Sequence, residues 1–196
     1  MRVVGGSERG KKLLLVPGRG TRPILDRVKT SLFDILRPLL AGMDVLDLFA
    51  GSGSVGIEAL SQGASTCTFI DRGLDAIATI KKNLEATRLA GRAEVRRTDA
   101  FEFLRTTPKK FDLIYVAPPQ YRDLWSRAML QIDERPELLW SSPAEFDEER
   151  SAVQVIAQID PTEYQSLSLV TLQEVRQKRY GNTLLIFFER RNSVIR

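Results

Sequence analysis

The chain has 196 residues, 43% of them apolar and 28% charged, with a net charge of +4, one cysteine and no histidine. That length suits one domain (1–196) with a full core rather than a disordered or multi-domain chain. Without histidine there is no histidine-based triad and no histidine-held metal, and a lone cysteine forms neither an internal disulfide nor a zinc cluster. No apolar run reaches the roughly 18 residues a membrane span needs, and the first residues lack a secretory pattern. A reducing, cytoplasmic setting with no metal and no membrane partner is expected. Cys67 lies in an apolar run and is predicted to be buried.

Taken in order, residues 1–16 hold two short apolar runs, Arg2-Val3-Val4 and Lys11 to Val16, around a glycine-rich turn, which predicts a β-hairpin with a basic tip. Residues 17–22, Pro-Gly-Arg-Gly-Thr-Arg, read as a loop, so 1–22 forms a basic hairpin/loop extension. Pro23 suits the first turn of a helix, and Leu25, Val28, Leu32, Ile35 and Leu36 recur at helical spacing. Arg27 and Lys29 fall on its opposite, polar face. From Asp44 the pattern alternates. Strands are predicted at 45–49, 66–70, 93–97 and 112–117, with helices at 54–62, 73–87, 100–105 and from Tyr121 to Gln131. Ser141-Ser142-Pro143 reads as a break, and Glu145, Asp147, Glu148 and Glu149 as a solvated acidic run. Further strands are predicted at 152–159, 167–175 and 184–188, with a basic turn at 176–183. The alternation means a parallel sheet with helices on both faces, whose ligands sit at the strands' carboxyl ends.

The chain is organised around Val45 to Leu60, where Gly51, Gly53 and Gly56 spell G-x-G-x-x-G between a strand and a helix. Such glycines permit a tight turn, backbone approach to a ligand and close packing of helix on strand. Asp71 follows Gly51 by 20 residues at the end of the next apolar run, where an acid that holds a ribose is expected. The pattern predicts a nucleoside-cofactor site; its bland alternative is a tight turn with no ligand. Asp47, Asp71, Asp99 with Ala100, and Ala117-Pro118-Pro119 stand at four successive strand ends.

The charge is uneven. Residues 1–37 carry nine Lys/Arg against three acids, 176–196 carry six against one, and the middle is net acidic. Basic ends on an acidic body suggest a polyanion-binding surface; ordinary solvated faces are the plain alternative.

These features together resemble the class I S-adenosylmethionine-dependent methyltransferases, and more narrowly the bacterial 16S rRNA (guanine-N2)-methyltransferase family. The resemblance rests on Met1-Arg-Val-Val-Gly-Gly-Ser7, Gly10-Lys-Lys-Leu13, Thr21-Arg22-Pro23 with Asp26-Arg27-Val28-Lys29, Asp47-Leu-Phe-Ala-Gly-Ser-Gly53, Gly56-Ile-Glu-Ala-Leu60, Pro118-Pro119 and Arg179-Tyr180-Gly181. It implies a Rossmann-like seven-stranded, mostly parallel sheet whose last strand is antiparallel, with the N-terminal extension used for RNA. It further implies S-adenosyl-L-methionine as cofactor. Asp47, Phe49 and Ala50, Gly51, Ser52 and Gly53 would line its methionine part, Asp71 beside Arg72 its ribose, and Asp99 and Ala100 its adenine. The implied partner is 16S rRNA or an assembling small subunit; the basic ends are expected to meet it through Arg9, Lys11, Lys12, Arg19, Thr21, Arg22, Arg27, Arg176 and Arg179, and a monomer is expected.

One departure stands out. The family's fourth strand usually ends Asp- or Asn-Pro-Pro-Tyr/Phe, whereas this chain has Ala117-Pro118-Pro119-Gln120-Tyr121. The usual side-chain acceptor for the target amine is absent and the aromatic is displaced by one. The backbone carbonyls at Ala117 and Pro118, or Gln120, are the predicted substitutes, with Tyr121 stacking on a flipped base. A catalytically silent RNA-binding protein, or a methyltransferase of an adenine amine, are the competing readings. A nicotinamide-dependent oxidoreductase would share the glycines and the acid but leave the basic ends unexplained.

Overall fold

The computed structural model describes residues 1–18, 24–140 and 153–191. Arg19, Thr21, Arg22 and Pro23, the break at Ser141 to Pro143, and the acidic run from Glu145 to Glu149 lie outside the described residues. The elements follow as α1 (Asp26–Leu36), β1 (Asp44–Asp47), α2 (Ser54–Ser61), β2 (Thr66–Asp71), α3 (Leu74–Thr87), β3 (Ala93–Arg97), α4 (Ala100–Thr106), β4 (Leu113–Val116), α5 (Leu124–Asp133), β5 (Val153–Ile159), β6 (Leu172–Tyr180) and β7 (Thr183–Arg190).

One sheet joins all seven strands in the order β3-β2-β1-β4-β5-β7-β6. The pairs from β3 to β5 are parallel, and β7 runs antiparallel to both β5 and β6. The chain builds outward from β1 through β2 to β3, then returns to β4 on the other side of β1. That reversal opens a crevice above the carboxyl ends of β1 and β4. The sheet is buried on both sides. Leu32 and Phe33 of α1, Ile57 of α2 and Ile80 of α3 pack on one face with Phe69 and Ile156. Phe103 of α4 and Trp125 and Met129 of α5 pack on the other with Ile114 and Val155. Cys67 is buried and free, as its apolar setting predicts.

Four expectations need correction. Residues 1–18 contain no strand, so the expected hairpin is reduced to one antiparallel bridge, Arg2 to Lys12, around the turn. The sixth strand begins at Leu172, not 167, and runs to Tyr180, so the turn is only Gly181-Asn182. The Asp133 carboxylate causes the late start. It accepts the N–H groups of Val170, Thr171 and Leu172 at 2.7–2.8 Å and so takes them out of any ladder. The fifth helix begins at Leu124 because Tyr121 (φ 60°) and Asp123 (φ 51°) sit in the left-handed region, which no α-helix admits. Lys29 is fully buried instead of facing water. Its Nζ lies 3.2 Å from Glu58 of α2 and donates to the Arg2 carbonyl and the Ser54 hydroxyl. A lysine goes inside only when so paired.

The Lys29–Glu58 pair also explains how the N-terminal segment is held. Glu58 accepts the N–H groups of Val4 (2.9 Å) and Gly5 (2.7 Å), and Ser61 accepts that of Glu8. Residues 2–8 are thus tied to α1 and α2 through buried charge, beside the crevice.

Candidate active site at the sheet's switch point

The glycine turn follows directly from its backbone. Gly51 (φ 54°) and Gly53 (φ 76°) take the left-handed conformation that turns β1 into α2. Gly56 serves packing: a Cβ there would lie 2.3 Å from the Phe69 ring and 2.6 Å from the Cys67 sulfur. The N-cap residue of α2, Gly53, makes no side-chain cap, and of the first-turn N–H groups that of Gly56 goes to Asp47, which leaves those of Ser54 and Val55 for a ligand.

Three carboxylates frame this turn. Asp47, buried at the end of β1, accepts from the Gly56 N–H at 3.0 Å. Burial pushes its pKa up to about 7; the Gly56 bond opposes this and the charge of Asp71 adds to it. Asp71 closes β2 and accepts the N–H groups of Gly51 (2.9 Å) and Gly73 (2.8 Å), locking the glycine turn to the neighbouring strand. Asp99 caps α4, its Oδ1 accepting from Phe101 and Glu102. The Phe49 and Phe101 rings meet edge to face at 6.1 Å and form an apolar wall between them.

A cavity of about 440 Å³ unites these groups. That is within the size range of small-molecule and cofactor sites. Asp47, Phe49, Ala50, Gly51, Ser52, Asp71, Arg72, Asp99 and Ala100 line it; Gly53 alone of the predicted cofactor set does not. A Cβ on Gly51 would meet nothing within 4 Å, which leaves the turn open on its ligand side. Ala117, Pro118, Pro119, Gln120 and Tyr121 form part of the same wall. Their loop is anchored from β5's far end. Glu163 accepts the Tyr121 N–H at 2.7 Å, its carbonyl accepts from Trp125 Nε1 at 3.0 Å, and Asp160 accepts from the Tyr121 hydroxyl at 3.2 Å. These bonds offset the roughly 1–3 kcal/mol a non-glycine residue costs at positive φ. Tyr121 itself stays 68% exposed.

Sequence reasoning missed several cavity residues. Tyr115 and Gln158 line it, and the Tyr115 hydroxyl donates to Gln158 Oε1 at 2.6 Å. Met1, Val16 and Ile24 bring the N-terminal segment to its rim. Gln158 carried a usable signal as a polar residue inside an otherwise buried strand, but its neighbours depend on a register that only the fold supplies.

The basic residues gather elsewhere. Arg9 and Arg27 share a separate groove with Arg2 and Asp26. Ser31 of α1 hydrogen-bonds Tyr180 of β6, which brings the Gly181 turn and the exposed Arg179 beside Arg27. Two basic stretches some 150 residues apart therefore meet on one side. Lys12 and Arg176 are exposed, whereas Lys11 is tied to Glu8 and to the Ala86 carbonyl. None of these basic residues lines the cavity.

Known proteins share this arrangement. A family model described as Conserved hypothetical protein 95 matches residues 1–189. The "Putative rRNA methyltransferase YlbH" of Bacillus subtilis (strain 168) is 42% identical over 142 residues, 71% of this chain and 77% of that protein. The "Ribosomal RNA small subunit methyltransferase D" of Escherichia coli (strain K12) is 40% identical over 124 residues, 63% of this chain and 62% of that protein, less than two thirds of either. A solved structure titled "Putative methyltransferase yhhF from Escherichia coli" superposes with a TM-score of 0.76 at 29% identity, covering 97% of both chains.

Proposed function

Because the chain belongs to the family described as Conserved hypothetical protein 95, whose relatives above carry rRNA methyltransferase names, we propose that it methylates the exocyclic N2 amine of a guanine in 16S rRNA, using S-adenosylmethionine. The observation that carries this reading is the single cavity that joins the glycine turn and its three carboxylates to the Ala117–Tyr121 loop. One cavity lined by both sets of residues is what transfer between two bound molecules demands.

When bound, S-adenosylmethionine supplies a methyl carbon on a sulfonium: the amine lone pair forms the C–N bond, the C–S pair stays on sulfur, and an N–H proton leaves to water. The chain's own groups hold the reactants. Asp47 would take the cofactor's ammonium, Asp71 the ribose hydroxyls, and Asp99 with Ala100 the adenine. The α2 N-terminus favours the carboxylate end. Tyr121, exposed at the mouth, offers a ring to a flipped base. Pro118 and Pro119 fix the direction of the wall beneath it. Arg9, Lys11, Lys12, Arg27, Arg176 and Arg179, with Arg19, Thr21 and Arg22, would meet phosphates and set affinity without reading bases. Among the described residues no helix is long and apolar enough to cross a membrane; that the chain works as a monomer in the cytoplasm is part of the proposal.

Ala117 keeps one rival in play, a protein that binds cofactor and RNA but transfers nothing. Radiolabelled S-adenosylmethionine, offered with naked 16S rRNA and with small subunits, separates the two. Label incorporated into rRNA supports the enzyme. Cofactor and RNA binding without any incorporation would establish the rival.

A further inference from the structure

The strand next to Ala117 carries a polar residue, Gln158, that lines the same cavity. β4 and β5 pair in parallel, with Tyr115 opposite Ile156 and Val116 opposite Ala157. Continued one residue past the paired stretch, the same register sets Ala117 beside Gln158, and both line the cavity. Side chains alternate along a strand, so Tyr115, Ala117, Ile156 and Gln158 share one face, and adjacent strands are about 4.8 Å apart. A glutamine beside an alanine puts an amide on the same stretch of cavity wall as residue 117.

Gln158 is also out of character with its strand. Six of the seven residues of β5 are buried and Gln158 alone is partly exposed. β5 carries one other glutamine, Gln154, which is buried and donates to the Trp140 carbonyl. The amide is held: Tyr115 donates to its Oε1 at 2.6 Å. Tyr115 is itself buried, and that burial, with the charge of Asp47, pushes its hydroxyl well above the usual tyrosine range, so it stays a donor. An amide oxygen accepts two hydrogen bonds, and Tyr115 supplies one.

Building on the methyltransferase reading, we infer that Gln158 is the side-chain acceptor for the target guanine's N2–H, with Tyr115 as the residue that positions it. The second lone pair of Oε1 accepts an N–H of the amine. This turns the nitrogen lone pair toward the methyl carbon and stabilises the positive charge that grows on nitrogen as the C–N bond forms. The surplus proton then goes to water. The function usual for an acidic or amide side chain at position 117 is thereby moved one strand across the sheet.

The test starts from the natural protein, whose reaction with 16S rRNA maps the modified position. Gln158→Leu should lower turnover by about ten- to a hundredfold, the effect of losing a hydrogen bond to a developing charge. Its cofactor affinity, measured by calorimetry, should stay within about twofold of the natural value. Gln158→Met, closer in shape, guards against a packing artefact and should lose as much. Tyr115→Phe should slow the natural protein yet add little on top of Gln158→Leu, since a positioning residue has nothing left to position. A binding readout needs no turnover. With the demethylated cofactor bound, the natural protein should hold rRNA carrying guanosine at the mapped position several-fold tighter than rRNA carrying inosine, which lacks the amine. Gln158→Leu should bind the two alike. Full turnover in both Gln158 variants, or an unchanged guanosine preference in them, would overturn the assignment while leaving the methyltransferase reading intact. No transfer by the natural protein would remove both.

Discussion

Asp47 gives the account its sharpest thermodynamic consequence. Its carboxyl is buried at the end of β1 and holds one backbone N–H, and its pKa is raised to about 7 from an ordinary value of 3.8. Between those two values the folded chain keeps a proton that the unfolded chain releases, so stability falls as pH rises through that window and levels off above about pH 7. The shift of about three units corresponds to roughly 4 kcal/mol at pH 8, at 1.36 kcal/mol per unit. Asp47→Asn removes the buried charge and keeps an acceptor for Gly56. After allowing for a weaker neutral hydrogen bond, the cofactor-free variant should be about 2–4 kcal/mol more stable than the natural protein at pH 8. Its melting midpoint should rise by roughly 5–15 °C. Near pH 4 the advantage should vanish. Cofactor affinity should move the opposite way: weaker in the variant at pH 8, and no longer falling below pH 7 as it should in the natural protein. Chemical denaturation at pH 4.5, 6 and 8 reads the first effect and calorimetry the second. A variant no more stable at pH 8, or equally favoured at every pH, would refute the burial argument.

Other perturbations test other parts of the fold. Lys29→Met leaves Glu58 buried without its cation and should cost about 3–5 kcal/mol, part of which Glu58→Gln should restore in the double variant; equal losses in single and double variants would show that the pair is not what binds the N-terminal segment. Asp71→Ala removes both the proposed ribose contact and the bond that fixes Gly51, and should weaken cofactor binding by about 1.5–3 kcal/mol in a titration, whereas unchanged affinity would displace the ribose from Asp71. Replacing Arg9, Arg27 and Arg179 together should flatten the dependence of rRNA affinity on salt by about 0.7–0.9 in slope per lost contact; an intact slope would place the RNA surface elsewhere. Gly56→Ala should cost about 1–3 kcal/mol by driving a methyl group into Phe69 and Cys67, and a neutral result would mean that α2 can shift off the sheet.

The glycine-turn part of the cavity was legible because its signals are local. A glycine turn between an apolar strand and an apolar helix specifies its own geometry, and Asp71 falls at the next strand end by the periodicity of a βαβ unit. The family motifs likewise implied seven strands with the last antiparallel, which no single strand could reveal, while the strand order came from the fold. What stayed hidden depends on partners distant in sequence. Lys29 reads as a polar-face residue from helical spacing, and only the buried Glu58 turns it inward. Leu167 to Val175 reads as a strand until Asp133, more than 30 residues earlier, claims the N–H groups at its centre. Tyr121 continues a helical pattern, yet Glu163 and Asp160 hold it at positive φ outside the helix. Gln158 acquires meaning only when the register sets it beside Ala117 and Tyr115 bonds its amide.

Nucleoside mass spectrometry of 16S rRNA and of small subunits, after incubation with the protein and S-adenosylmethionine, tests the central claim most directly. The account predicts one mole of N2-methylguanosine per mole of substrate at a single position, from a chain that lacks the usual side chain at residue 117. Methylated adenine in its place, or no new methylated nucleoside from protein shown to bind both cofactor and RNA, would contradict it.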